Sequence, residues 1–186
     1  SFGMGDHPTT RIALRGVEYA MTKVVSQCES KRIRTLDIGT GSGVLAIASI
    51  KLGATKAYGL DLDPVACHEA RKNVLLNGLN ASVSIHETDL DRFHGECCEL
   101  LIANLRPPTL KQIIPTLHLL SRPAAFWVFS GFREAEALGL KDLLSSLPAK
   151  LIWQESEHGW SGMVVAQEDY FEKPREKGIL KSHPTL

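Results

Sequence analysis

Leu36-Asp37-Ile38-Gly39-Thr40-Gly41-Ser42-Gly43 sits between two apolar runs, residues 33–36 and 44–52. That order predicts a strand, a glycine turn and a helix. Glycines in such a turn let the chain bend tightly and let its backbone approach a ligand. The amides that open the following helix favour an anionic or hydrogen-bond-accepting group. About twenty residues on, Asp61 and Asp63 end the next apolar run, where a ribose-binding carboxylate sits in nucleotide-binding sheets. Turn and distal acid together read as a site for a nucleoside-containing cofactor.

A dinucleotide fingerprint, G-x-G-x-x-G, would need glycine at position 44, which is Val44. The pattern here is Asp-x-Gly-x-Gly-x-Gly, with Asp37 two residues ahead of Gly39. It resembles the first motif of class I methyltransferases that use S-adenosyl-L-methionine. That resemblance implies that Gly39, Gly41 and Gly43 border the amino-acid end and ribose of the cofactor. A nicotinamide-dependent oxidoreductase is the distant alternative, and a structural turn in some other α/β protein is the bland one. Asp37 has two open readings: orienting the turn or the cofactor's ammonium through water, or simple loop hydrogen bonding.

Composition narrows the class. The 186 residues suffice for one domain with a sizeable core. Lys+Arg and Asp+Glu are equal at 21, so net charge makes no case for a nucleic-acid or membrane partner. No apolar run has the length of a membrane span, and the N-terminus lacks a basic-then-apolar signal sequence. Cys28, Cys67, Cys97 and Cys98 show no C-x-x-C spacing, so no metal is expected. They read as reduced thiols packed as small apolar groups, which suits a cytoplasmic protein. The chain opens at Ser1 directly on a functional-looking motif, as a fragment of something longer would.

Strands and helices alternate along the chain. Helical spacing over 8–26 follows Pro8, a first-turn residue. Strands are predicted at 33–38, 57–62, around 83–85, at 100–105 and at 124–130. Helices are predicted at 43–52, 63–77, 110–120 (with Pro115 as a break or kink) and 133–147. Residues 150–153 and 163–166 form a closing hairpin around His158-Gly159. The expected fold is therefore α/β: a doubly wound, mostly parallel, seven-stranded Rossmann-like sheet with a C-terminal antiparallel hairpin. The expected domain spans 1–167, and the polar stretch 168–186 reads as a loosely held tail. Ligands in such sheets lie beyond the carboxyl ends of the strands. Gly39 to Gly43, Asp61, Asp89 and Asn104 all fall there.

Four blocks carry a more specific resemblance: Phe2-Gly3-Met4-Gly5-Asp6-His7-Pro8-Thr9-Thr10, residues 36–53, Gly59-Leu60-Asp61-Leu62-Asp63-Pro64, and Ile102-Ala103-Asn104. Ser130-Gly131 fits as well. Over roughly residues 1–167 the chain is similar to the PrmA family, enzymes that methylate ribosomal large-subunit protein eleven. The F-G-x-G-x-H-x-T-T opening carries that assignment; the glycine turn marks only the superfamily. The resemblance implies that Thr10, Gly39, Asp61 and Asn104 contact S-adenosyl-L-methionine and that Phe2 and His7 line the same pocket. It further implies that Asp89 holds the adenine-contacting position and that the partner is a ribosomal protein. Two departures stand out. The family shows small residues and a glycine before a proline after Asn104, where this chain has Leu105-Arg106-Pro107-Pro108. The family also has an N-terminal substrate-recruiting domain, not included in these residues.

The chemistry expected is N-methylation of a lysine side chain or terminal amine, with Asn104 as the catalytic residue that aims the amine. Asn is an unlikely structural choice at the end of a buried strand; a turn-forming Asn before the prolines is its alternative. Asp63, ahead of Pro64, reads as a helix cap. His7 and Thr10 open the first helix, where capping and solvation compete with pocket lining. Glu87 and Asp91 compete with Asp89. Other functions remain open: the same fold with another protein or small-molecule acceptor, or a non-catalytic cofactor-binding module.

Overall fold

The computed structural model describes residues 6–28 and 32–168. Its seven strands are β1 (Arg34–Ile38), β2 (Lys56–Asp61), β3 (Val83–Glu87), β4 (Cys98–Asn104), β5 (Ser121–Arg133), β6 (Ala149–Glu157) and β7 (Trp160–Gln167). They form one sheet in the order β3-β2-β1-β4-β5-β7-β6. The first five strands in that order are parallel, and β7 runs antiparallel to both β5 and β6. The expected doubly wound sheet with a closing hairpin is the fold observed.

Among the described residues five α-helices cover the sheet: α1 (Pro8–Gln27), α2 (Val44–Lys51), α3 (Pro64–Leu76), α4 (Pro107–Ile113) and α5 (Ala137–Ser145). The apolar run of β4 explains how both faces are held. Leu100 and Ile102 pack with Ala13, Val17 and Met21 of α1, whereas Leu101 and Ala103 pack with Leu110 of α4 and Leu140 of α5. Alternate residues of a strand point to opposite faces, so a strand covered on both sides must be apolar throughout. β1 leads outward through α2 on one face, and β4 leads the other way through α4 on the opposite face. The topological switch therefore lies between β1 and β4, at their carboxyl ends.

Three predicted boundaries are corrected. The single helix expected over 110–120 is α4 followed by a 3-10 run, Ile114–Leu120. Pro115 lacks the amide an α-helix needs and crowds the preceding turn, so the chain continues with tighter winding. β5 begins before and ends after the expected 124–130, because Phe132 and Arg133 still pair with Ser161 and Trp160. The helix expected from 133 consequently starts later, as a 3-10 turn at Glu134–Glu136 leading into α5. The residues assigned to a loose tail, from 169 on, lie outside the described residues, as does Phe2.

An ion-pair cluster fastens α1 to the hairpin. Glu157 accepts from Arg11 Nε at 2.8 Å and pairs with Arg15 at 2.7 Å. Hydrogen bonds from Arg11 and then Arg15 hold its carboxyl at about 2, below the usual 4.5.

Candidate active site

The glycine turn is shaped by backbone geometry. Gly39, Gly41 and Gly43 have φ of +71°, +55° and +81°, a region that side-chain-bearing residues rarely adopt. Gly39 is confined by its neighbour as well: a Cβ there would lie 2.5 Å from Leu105 Cδ2. The turn after β1 and the residue after Asn104 are thus in direct contact across the switch.

Asp37 lies beneath this turn with no exposed surface. Its Oδ2 accepts from the Thr40 hydroxyl at 2.6 Å and from the Ala46 amide at 3.2 Å. Its Oδ1 has no partner among the described residues. Burial raises the carboxyl from 3.8 to about 6; the two hydrogen bonds oppose the rise, and the Asp61 charge adds to it. Both readings of Asp37 therefore have a physical basis. One oxygen orders the turn, and the other is a buried acceptor that a cationic ligand group would satisfy.

Asp61 ends β2 with its carboxylate already aimed. Oδ2 accepts from the Gly41 amide at 2.9 Å and Oδ1 from the Asp63 amide at 3.0 Å. Each oxygen keeps capacity for a further hydrogen bond. Asp63 caps α3 through the Val65 amide at 2.9 Å, as expected. Asp89 stands beyond β3 at the same edge of the sheet. It is engaged in its own turn, accepting from the Arg92 amide at 2.9 Å.

The opposite bank of the switch draws on distant segments. Asn104 is the last residue of β4, partly exposed and paired in register with Ser130 of β5. Its side-chain amide has no hydrogen bond to any described residue. Ser130 is buried, and its hydroxyl donates to the Thr9 carbonyl at 2.9 Å, which ties the first turn of α1 to the end of β5. That bond brings residues 6–10, the described part of the opening block, beside the end of β5. Thr10 is buried there, and His7 caps α1, its Nδ1 2.8 Å from Thr9 Oγ1. The His7 ring also meets Trp160 edge-on, with centroids 5.1 Å apart. Of the two readings of His7, capping is the one observed.

The contact of Leu105 with Gly131 and the pairing of Arg133 with Trp160 were not legible from the sequence. Gly131 shows why Leu105 belongs: with φ +93°, a Cβ there would lie 2.5 Å from the Leu105 carbonyl oxygen. The Ser130-Gly131 pair was the signal for that contact. Arg133 and Trp160 meet because they are opposite one another in the β5–β7 register.

The family described as ribosomal protein L11 methyltransferase (PrmA) matches residues 1–168. Over 168 residues the chain is 33% identical to the ribosomal protein L11 methyltransferase of Carboxydothermus hydrogenoformans, covering 90% of this chain and 52% of that protein. It is 36% identical over 146 residues to that of Laribacter hongkongensis, covering 78% of this chain and 46% of that protein. The chain thus spans about half the length of the curated relatives it matches. Among solved structures, the ribosomal protein L11 methylase of Lactobacillus delbrueckii subsp. bulgaricus aligns with a TM-score of 0.78 at 26% identity, covering 89% of this chain and 81% of that one. An RNA methyltransferase of Salinibacter ruber, in complex with S-adenosyl-L-homocysteine, shares the fold at a TM-score of 0.64 and 20% identity, covering 84% of this chain and 90% of that one. With a family match over nearly its whole length and a sheet, glycine turn and opening block to accord with it, this chain belongs to the PrmA family of ribosomal protein L11 methyltransferases.

Proposed function

We propose that the chain is the catalytic domain of a cytoplasmic S-adenosyl-L-methionine-dependent protein N-methyltransferase acting on a lysine side chain or terminal amine of a ribosomal protein. One observation carries the reading. An aimed carboxylate, Asp61, and an amide unpartnered among the described residues, Asn104, stand on opposite banks of the switch, with the glycine turn between them. Asp61 would hold the ribose hydroxyls. Gly39 to Gly43 and the free oxygen of Asp37 would face the amino-acid end of the cofactor, whose ammonium matches a buried acceptor. Leu62, 71% exposed directly after Asp61, offers apolar surface beside the sugar position.

The bound cofactor supplies a methyl group on a sulfonium, an electrophile that needs no further activation. The protein therefore has to place a neutral amine about 3–3.5 Å from the methyl carbon and in line with the bond that breaks. Free lysine, with a pKa of about 10.4, is neutral in roughly one part in a thousand or less near pH 7. Desolvation against the switch lowers that pKa by disfavouring the ammonium. The Asn104 carbonyl can then accept a hydrogen bond from the amine and direct its lone pair. No strong base is required of the protein.

Calorimetry with S-adenosyl-L-homocysteine and with NAD separates this reading from an oxidoreductase: tight binding of NAD alone would end it. Labelled methyl transfer by the full-length enzyme to purified ribosomal proteins tests the acceptor. The loop Leu105-Arg106-Pro107-Pro108 favours a second reading, the same chemistry on another protein or small-molecule amine, which would leave ribosomal proteins unlabelled.

A further inference from the structure

Helix α1 sits close on the sheet where β5 and β7 pair, and glycine makes the approach possible. Gly162 of β7 is opposite Ser130 of β5. It lies inside the strand and its φ is not positive, so the reason for glycine there is space. A Cβ at Gly162 would lie 2.4 Å from Ile12 Cγ2 of α1 and 3.0 Å from the Phe129 carbonyl oxygen. Ile12 is fully buried, and its Cγ2 is fixed by the one χ1 rotamer that a helix favours for a β-branched residue. An ordinary contact between carbons is about 3.5–4.0 Å, so the helix itself would have to lift by about 1 Å. One turn on, a Cβ at Gly16 would already lie 2.9 Å from Val128 Cγ1, which shows the same closeness from the helix side.

Ser130 completes this seat. Phe126 and Val128 precede it on the alternation that faces α1, in one apolar layer with Ala13 and Val17. A hydroxyl buried in such a layer is costly unless it is bonded, and this one donates to the Thr9 carbonyl at 2.9 Å. Thr9 is in the first turn of α1, so its carbonyl already meets the helix's own amide four residues on. The helix does not need the second bond; what that bond fixes is where the first turn stands. Asn104 is the in-register neighbour of Ser130 and follows Leu100 and Ile102 on the α1 face of β4. The first turn of α1 is therefore held beside the residue expected to aim the amine.

Resting on the proposed methyltransferase reading, we infer that Ser130 and Gly162 are positioning residues for methyl transfer. The hydroxyl pins the first turn of α1, and the missing side chain sets its height above the sheet. Together they align residues 6–10 with Asn104. Both act from buried positions, through α1. An in-line displacement tolerates little misplacement, about 1 Å costing about 100-fold. A lift of α1 by that distance would spoil the alignment and leave the glycine turn and Asp61 in place, because these belong to the β1–α2–β2 unit.

The test uses the full-length enzyme with labelled S-adenosyl-L-methionine and purified ribosomal protein L11 as acceptor, beside hydrogen–deuterium exchange of the amides of residues 10–13. Gly162→Ala should lower kcat by about 10-fold or more with both substrates saturating, while S-adenosyl-L-homocysteine affinity by calorimetry changes by no more than a few-fold. Ser130→Ala, which removes one oxygen and keeps the shape of the site, should lower kcat by several-fold with the same split. In both variants exchange should quicken in the first turn of α1 and stay unchanged in α2 and α3. Adding Ile12→Ala to Gly162→Ala should recover most of the lost kcat. Leu140→Ala destabilises the core on the opposite face of the sheet and should leave kcat unchanged wherever the protein is folded. Unchanged kcat in folded Gly162→Ala and Ser130→Ala, equal losses of kcat and cofactor affinity, exchange that quickens evenly along the chain, a matching kcat loss in Leu140→Ala, or a folded double variant without recovery would each overturn the inference. Exchange reads the seat without any acceptor. Quickening confined to the first turn of α1, in an enzyme whose unmodified form binds no S-adenosyl-L-homocysteine, would instead remove the methyltransferase reading beneath it.

Discussion

The two banks of the switch are built differently. On the donor bank, the turn from Asp37 to Gly43 and the acid at Asp61 come from a single strand–helix–strand unit. Its polar groups are tied within the unit itself: Asp61 to the Gly41 and Asp63 amides, Asp37 to the Thr40 hydroxyl and the Ala46 amide. On the opposite bank, residues 6–10, Asn104 to Arg106, Ser130 to Arg133 and Trp160 arrive from four parts of the chain and meet only through the sheet. Ser130 to Thr9, Arg133 over Trp160 and Glu157 between two arginines are the fastenings. On the proposed function, a donor site made locally would keep its geometry whatever the acceptor is, and an acceptor site made from scattered pieces could change its rim without disturbing the cofactor.

That contrast can be broken most directly at Asn104. Asn104→Ala is expected to lower kcat by about 100-fold, since misplacing a reactant by about 1 Å costs that much, while S-adenosyl-L-homocysteine affinity measured by calorimetry stays within a few-fold. An equal loss in both would move Asn104 to the donor bank. Asp61→Ala should show the opposite split. Losing the charge-assisted hydrogen bonds should weaken S-adenosyl-L-homocysteine binding by about 1–3 kcal/mol, and unchanged affinity would refute its ribose role.

Gly39→Ala probes the contact between the banks. Positive φ and the clash with Leu105 together should cost about 1–3 kcal/mol of stability in denaturant titrations. Adding Leu105→Ala should recover the clash but not the backbone strain; full additivity would mean that the banks are independent here.

The smallest effect expected is on pH. A buried carboxyl raised to about 6 binds its proton more tightly in the folded than in the unfolded chain. Its contribution is complete below about 3.8 and is lost as pH rises through 6. The unmodified protein should therefore lose stability relative to Asp37→Asn between about pH 4 and 6, by about 1–2 kcal/mol after allowing for relaxation around a buried group. Glu157 has the reverse sign. Its lowered value gives stability present above about 4.5 and lost as pH falls toward 2, so Glu157→Gln should flatten the acid limb of the unfolding curve.

Local features announced most of the donor bank. A glycine at every second position after an acid needs no tertiary contact to be recognised, because positive φ and helix-start amides are properties of a few consecutive residues. The cap at Asp63, the stop at Asn77-Gly78 and the hairpin turn at His158-Gly159 were readable for the same reason. The end of β5 was not. Whether residues 131–133 continue a strand or begin a helix depends on their pairing with β7, about thirty residues on. Leu105 could not be read as a wall of the glycine turn, because that contact crosses from one parallel strand to another.

The order of strands and helices, the glycine turn and the acid at the end of β2 were determined by the sequence alone, since periodicity, capping and turn chemistry act over a handful of neighbours. Which side chains share the acceptor rim was decided only by the tertiary structure. The β5–β7 register and the packing of α1 set Arg133 over Trp160 and His7 against its edge, and such pairings across long stretches of chain exist only once the sheet has closed around its core.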